Sequence, residues 1–169
     1  MKRVAKFEKV SKEQFLEGFQ SCFTDYKESE ICQIYEELPM PRRATKGSAG
    51  YDFFSPITFT LQPGESIKIP TGIRVKMEEN YALSLYPRSG LGFKYRFQLN
   101  NTVGIIDSDY YYSDNEGHIF SKFSNDTNEN KVLYVDQFAA FMQGIFTEYF
   151  ITEDDDASGI RNGGFGSTS

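Results

Sequence analysis

From Tyr51 onward the chain repeats one pattern. Short runs of alternating or β-branched apolar residues are each closed by a turn. ITFTL (57–61), SIKIP (66–70), IRVKM (73–77) and YALSLY (81–86) are such runs, with QPGE and EEN among the turns between them. VGII (103–106), GHIFSKF (117–123) and KVLYV (131–135) continue the pattern. FAAFMQGIFTEYF (138–150) is apolar for longer and reads as a core strand. Strands at this spacing predict an all-β barrel or jelly roll.

The first 37 residues follow a different period. In VSKEQFLEGFQ (10–20), Phe15, Leu16 and Phe19 fall on one helical face. Ser11 with Gln14 fits a capping box, and Val10 with Phe15 fits a hydrophobic staple. A short packing helix near 11–20 is expected. ICQIYE (31–36) is compatible with helix or strand. PMPRRATKGSAG (39–50) is broken by Pro and Gly and reads as a loop carrying Arg42, Arg43 and Lys46. At the other end, EDDDASGIRNGGFGSTS is acidic and then rich in Gly and Ser. Residues 157–169 read as a mobile arm.

Composition narrows this picture. A chain of 169 residues suits one domain or the protomer of an oligomer, and no internal repeat divides it. Many Phe and Tyr residues with no Trp agree with a β-rich fold. A net charge of −6 argues against a nucleic-acid surface, although an anionic small substrate remains open. Cys22 and Cys32 make neither a disulfide framework nor a CxxC pair. The N-terminus lacks an apolar signal core, and no run approaches the ~20 residues of a membrane helix. The expectation is a soluble, cytoplasmic protein, in which the sequons at Asn100 and Asn125 are chance matches.

The residue inventory removes several chemistries. His118 is the single histidine, GxSxG is missing, and neither PCxxC nor GxxxxGK[ST] occurs. A protein-held zinc site is not expected, and His118 reads as an ordinary strand residue. Carboxylates, a few arginines and glycine-rich turns remain. That set suits water attack on a phosphate, with an Asp as base and arginines holding charge.

Five segments carry the candidate chemistry: GSAGYDFF from Gly47, YPRSGLGFK from Tyr86, NNTVGIIDSDY from Asn100, FMQGIF from Phe141 and RNGGFGSTS from Arg161. Their order and spacing resemble the homotrimeric dUTP pyrophosphatases (dUTPases) over roughly residues 38–169. The resemblance implies a distorted jelly-roll or β-clip barrel with a short added N-terminal helix. It implies hydrolysis of dUTP to dUMP and pyrophosphate, with Asp107 activating the water that attacks the α-phosphorus. Arg88, Ser89 and Gly90 would bind the phosphates, with Gln143 near them. Asn101 and the main chain around Gly104 and Ile106 would read uracil, and Tyr110 would floor the deoxyribose. From the arm, Arg161 would meet the terminal phosphates and Phe165 would stack on uracil, with Gly166 and Ser167 closing over the nucleotide. Mg²⁺ would arrive on the triphosphate with no direct side-chain ligand, Asp52 touching it only through water. A homotrimer would share each site between subunits.

Three features depart from the resembling pattern. Tyr111 to Glu116 lie between Tyr110 and the next glycine, where the family usually has one residue, either as an outward bulge or as a change to the pocket mouth. Ala140 stands where the family usually has Arg. The arm is one residue shorter between Arg161 and Phe165. Two other readings stay open on the sequence: a dCTP deaminase or bifunctional deaminase–dUTPase on the related fold, and a non-catalytic regulatory trimer. The N-terminal helix and the insert would be contact surfaces in the latter.

Overall fold

The computed structural model describes residues 1–161. All of its strand ladders are antiparallel, as hairpin-linked strands require. The largest sheet runs β2 (Tyr51–Phe54), β11 (Ala140–Glu148), β6 (Tyr81–Pro87), β8 (Gly104–Ile106). A second runs β4 (Ser66–Pro70), β9 (Phe120–Asn125), β7 (Phe97–Leu99). Two further pairs are β1 (Ala5–Lys9) with β5 (Ile73–Met77), and β3 (Phe59–Leu61) with β10 (Leu133–Val135). This is an all-β architecture with a few short helices, as the pattern predicted.

Alternation along β9 explains how the sheets meet. Ser121, Phe123 and Asn125 turn inward. The Phe123 ring stacks on Phe97 of β7 with centroids 4.3 Å apart and meets Phe141 of β11 edge-on at 5.6 Å. All three rings are fully buried. Loss of one such ring to Ala costs about 3–5 kcal/mol, so this contact is a main bond between the sheets. Asn125 is also fully buried, and its amide donates to the carbonyls of Leu61 and Lys131, each at 2.9 Å. That sequon is therefore closed to modification by burial.

The N-terminal segment is part of the same core. β1 adds its alternating AKFEK run to β5, a strand the sequence reading missed. Helices α1 (Lys12–Gln20) and α2 (Glu28–Glu37) bury Phe15, Phe19, Ile31 and Ile34 in the cluster that holds the sheet residues. ICQIYE is thus helix, opened by the Lys27 N–H donating to Glu30 Oε2 at 2.7 Å. The capping box at α1 is only half formed. Ser11 Oγ accepts from the Gln14 N–H, but the Ser11 N–H donates to Glu116 Oε2 at 2.7 Å instead of to Gln14.

Other expectations need correction. PRSGLG joins a strand directly to a helix. Pro87 ends β6, and α3 (Ser89–Tyr95) follows at once with Arg88 as its cap residue. His118 is not a strand residue; it lies in the connection before β9. VGII is not wholly buried either, since β8 begins at Gly104 and Ile105 is 54% exposed. The strands flanking residues 100–103 do not ladder to each other: β7 belongs to the second sheet and β8 to the first. The segment is a corner between sheets, turned by Thr102 at φ 69°.

Candidate active site

That corner opens one wall of a pocket of about 350 Å³. Asn101, Gly104, Ile106, Asp107, Tyr110 and Arg161 line it together. Strand β8 ends at Ile106, and Asp107 then stays extended while a 3₁₀ turn, Ser108–Tyr112, begins. The change of backbone turns Asp107 to the pocket edge with its side chain about half exposed. Tyr110 is nearly buried. Its hydroxyl donates to the His118 carbonyl at 2.8 Å and accepts from Asn115 Nδ2 at 2.9 Å. Burial pushes its phenol pKa up, against the lowering pull of the Asn115 bond.

Arg161 reaches into this pocket. Its Nη2 donates to Asp107 Oδ2 at 2.5 Å and its Nε to Asp109 Oδ1 at 2.8 Å. Asp109 is not among the residues to which the resemblance assigns a role. Here it shares a cation with Asp107. Sequence reasoning also missed Leu99, Asn100, Phe120, Ser121 and Lys122 as pocket residues. Asn100 holds the floor by accepting from the Ser124 hydroxyl at 2.9 Å. Pairing of β9 with β7 brings these residues in, and that long-range register is not readable from local pattern.

The remaining candidates gather elsewhere. Ladder pairing of β2 with β11 sets Asp52 beside Gln143, and β6 sets Tyr86 on the other side of Gln143. Gln143 Nε2 donates to the Pro87 carbonyl at 3.2 Å, and Arg88 Nε lies 3.5 Å from Asp52 Oδ1. Gly50 is needed for this approach, because a Cβ there would stand 2.4 Å from Gln143 Oε1. Ser89 and Gly90 open the first turn of α3, where N–H groups have no acceptor within the helix. Ala140 pairs with Phe54, whose ring is covered by the Arg42 guanidinium at 5.3 Å. Phe165, Gly166 and Ser167 lie outside the described residues.

These two groups are far apart within one chain. Ile106 faces Leu83 on β6, while Arg88 follows the far end of that strand. At ~3.3 Å per residue the run from Leu83 to Arg88 is about 17 Å. Among the described residues, no group of three or more His, Cys, Asp or Glu side chains could hold a metal ion, and no helix is long and apolar enough to cross a membrane.

The dUTPase family model matches residues 36–168. The chain belongs to the dUTPase family. A deoxyuridine 5'-triphosphate nucleotidohydrolase of Lactococcus lactis is 39% identical over 134 residues, covering 78% of this chain and 88% of the relative. One from Hahella chejuensis is 40% identical over 142 residues, covering 80% and 90%. Among solved structures, the Streptococcus mutans dUTPase is 30% identical, with a TM-score of 0.59 over 78% of this chain and 96% of that one. The Staphylococcus bacteriophage 80alpha dUTPase with dUPNHPP is 21% identical and shares the fold, with a TM-score of 0.63 over 99% of both chains.

Proposed function

We propose that this dUTPase-family chain is a dUTP diphosphatase that releases dUMP and pyrophosphate, with Asp107 as general base. The observation that carries the reading is the convergence of Asn101, Gly104, Ile106, Asp107 and Tyr110 on one pocket. A carboxylate at its edge accepts the proton of a water attacking the α-phosphorus. Such help is typically worth ~10²–10⁴ in rate. In this reading the buried Tyr110 ring receives the deoxyribose, and its hydroxyl is already committed to the His118 carbonyl and Asn115. A ribose 2′-OH would find no free partner there. Arg161 must leave Asp107 as substrate enters and then meets the terminal phosphates, while Phe165 stacks on uracil and Gly166 and Ser167 close over the nucleotide.

Arg88, the Ser89 and Gly90 amides and Gln143 serve the phosphates. They stand too far from Asp107 in the same chain to grip one triphosphate. The separation supports a homotrimer in which one subunit supplies the pocket and its neighbour the phosphate end. The donor set also fits a metal carried by the substrate. Asp107 and Asp109 are paired with Arg161, and Asp52 is near Arg88. Mg²⁺ needs oxygen ligands and keeps several waters, so it suits the triphosphate with Asp52 touching it through water. Bound there, it screens phosphate charge and orients the chain of phosphates. The free thiols Cys22 and Cys32 fit a reducing cytoplasm.

The test is pyrophosphate release from dUTP against dTTP, UTP and dCTP with Mg²⁺ present. Selective release from dUTP is expected. Ammonia from dCTP, or binding of dUTP with no hydrolysis, overturns the reading.

A further inference from the structure

Two features fall outside the family pattern: the N-terminal segment, since the match begins at residue 36, and the Tyr111–Glu116 insert. They meet. Glu116 accepts the Ser11 N–H at 2.7 Å and the Ser11 hydroxyl at 2.6 Å, closing the N-terminus of α1. Tyr111 donates its hydroxyl to Glu8 Oε2 at 2.7 Å. Arg74, on the strand paired with β1, lies over the Tyr111 ring at 3.6 Å and donates to the Tyr111 carbonyl at 3.1 Å. Its Nη1 is 3.7 Å from Glu116 Oε2. The insert is therefore folded back on the N-terminal segment and is no outward bulge.

The same turn also packs against Tyr110 and Tyr111. Glu116 and Gly117 both take positive φ, 58° and 71°. A side chain on Gly117 would stand 2.7 Å from Tyr111 Cα and 2.8 Å from the Tyr110 carbonyl. The turn also presents Asn115 to the Tyr110 hydroxyl. A Glu in the left-handed region persists only where its surroundings fix it. Here they are Ser11 and Arg74. Burial pushes the Glu116 pKa up, but the Ser11 bonds, then Arg74 and His118, bring it below its ordinary value. It stays an anion facing them.

We infer that the N-terminal segment and the insert form one positioning unit for the 3₁₀ turn that carries Asp107 and Tyr110. Glu116 and Arg74 are its positioning residues. The inference rests on Asp107 and Tyr110 serving dUTP hydrolysis.

Glu116→Ala and Glu116→Gln keep the same strained backbone and differ in the tie to Ser11. In the full chain, Glu116→Ala and Arg74→Met are each expected to lower kcat about tenfold and the dUTP-over-UTP preference by a similar factor, with KM for dUTP changed less than about threefold. Glu116→Gln recovers at least half of kcat. Phe19→Leu, which loosens the helix packing alone, keeps the preference. Wild-type kcat and preference in Glu116→Ala and Arg74→Met overturn the inference, as does equal loss of preference in Phe19→Leu. Amide exchange in the substrate-free protein separates this from the functional reading. The Tyr110 and Ser113 amides, bonded to the Asp107 and Tyr110 carbonyls, exchange about tenfold faster in Glu116→Ala while β6 amides do not change. Unchanged exchange at Tyr110 and Ser113 sinks the positioning unit even if dUTP is hydrolysed. Absent hydrolysis in the wild type sinks the functional reading and leaves the exchange result to decide this one.

Discussion

The two ends of the β2–β11–β6–β8 sheet are built differently. At the Asp107 end a walled pocket is closed by a corner, a 3₁₀ turn and Arg161. At the Arg88 end three strands present Asp52, Gln143 and a helix start. The first end can hold a base and a sugar. The second can hold anionic charge. On the proposed reading each end is half a site, and β6 keeps the halves apart.

The strongest way to break this comparison is at the walled end. Asp107→Asn should lose ~10²–10⁴ in kcat by pyrophosphate release while keeping its thermal midpoint, because the side chain is exposed enough to change without repacking. Near-normal turnover would end the assignment of roles. Next comes the link between the ends. Arg88→Ala alone should be poorly active, and mixing it with Asp107→Asn after reversible dissociation should return activity to about a quarter of wild type by random assortment of subunits. No recovery would place both halves in one chain.

A finer test sits at the open end. Gly50→Ala pushes a methyl into Gln143 Oε1 and should cost about tenfold in kcat/KM. The change in stability should stay below about 1 kcal/mol by denaturant titration, since the clash can be relieved by moving a side chain. Equal kcat/KM would remove Gln143 from the phosphate end.

The smallest effect on activity is expected at His118, which belongs to neither end. Burial pushes its pKa down to about 3, and Nε2 accepts from the Gly72 N–H at 2.9 Å. The folded protein holds it neutral while the unfolded chain protonates near 6.5. Stability from this group is present above pH 6.5 and is lost as pH falls toward 3, on the order of 5 kcal/mol in full. His118→Gln should flatten the loss in acid unfolding curves and leave neutral-pH turnover unchanged. Identical acid slopes would show that the imidazole is already charged in the fold.

Much of this was legible in the sequence, for a physical reason. Alternation is a local signal, so β5, β6, β9 and β11 could be placed from single runs. Asp107 and Arg88 became candidates through the PRSGLG and VGIIDSDY runs, on resemblance to the dUTPases and not on local pattern alone. What was hidden depends on contacts far along the chain. Ser11 gave half of a capping box locally, and the other half came from Glu116. ICQIYE lacked the length to separate helix from strand until Ile31 and Ile34 found the core. Asn100, Ser121 and Lys122 join the pocket only through the β7–β9 register. Ile105 alternated outward although its neighbours looked uniformly apolar.

The run of β6 from Leu83 to Arg88 has a further consequence. In the proposed trimer its length fixes how far a neighbouring copy must reach, so it would act as a ruler for the assembly. Extra residues can be absorbed beside Tyr110, because Tyr111–Glu116 folds back on its own chain and leaves that spacing alone. The same extension placed inside β6 would leave every side chain intact and put the two halves out of step. Insertions and deletions in this chain are therefore expected to be tolerated off that line and rejected along it.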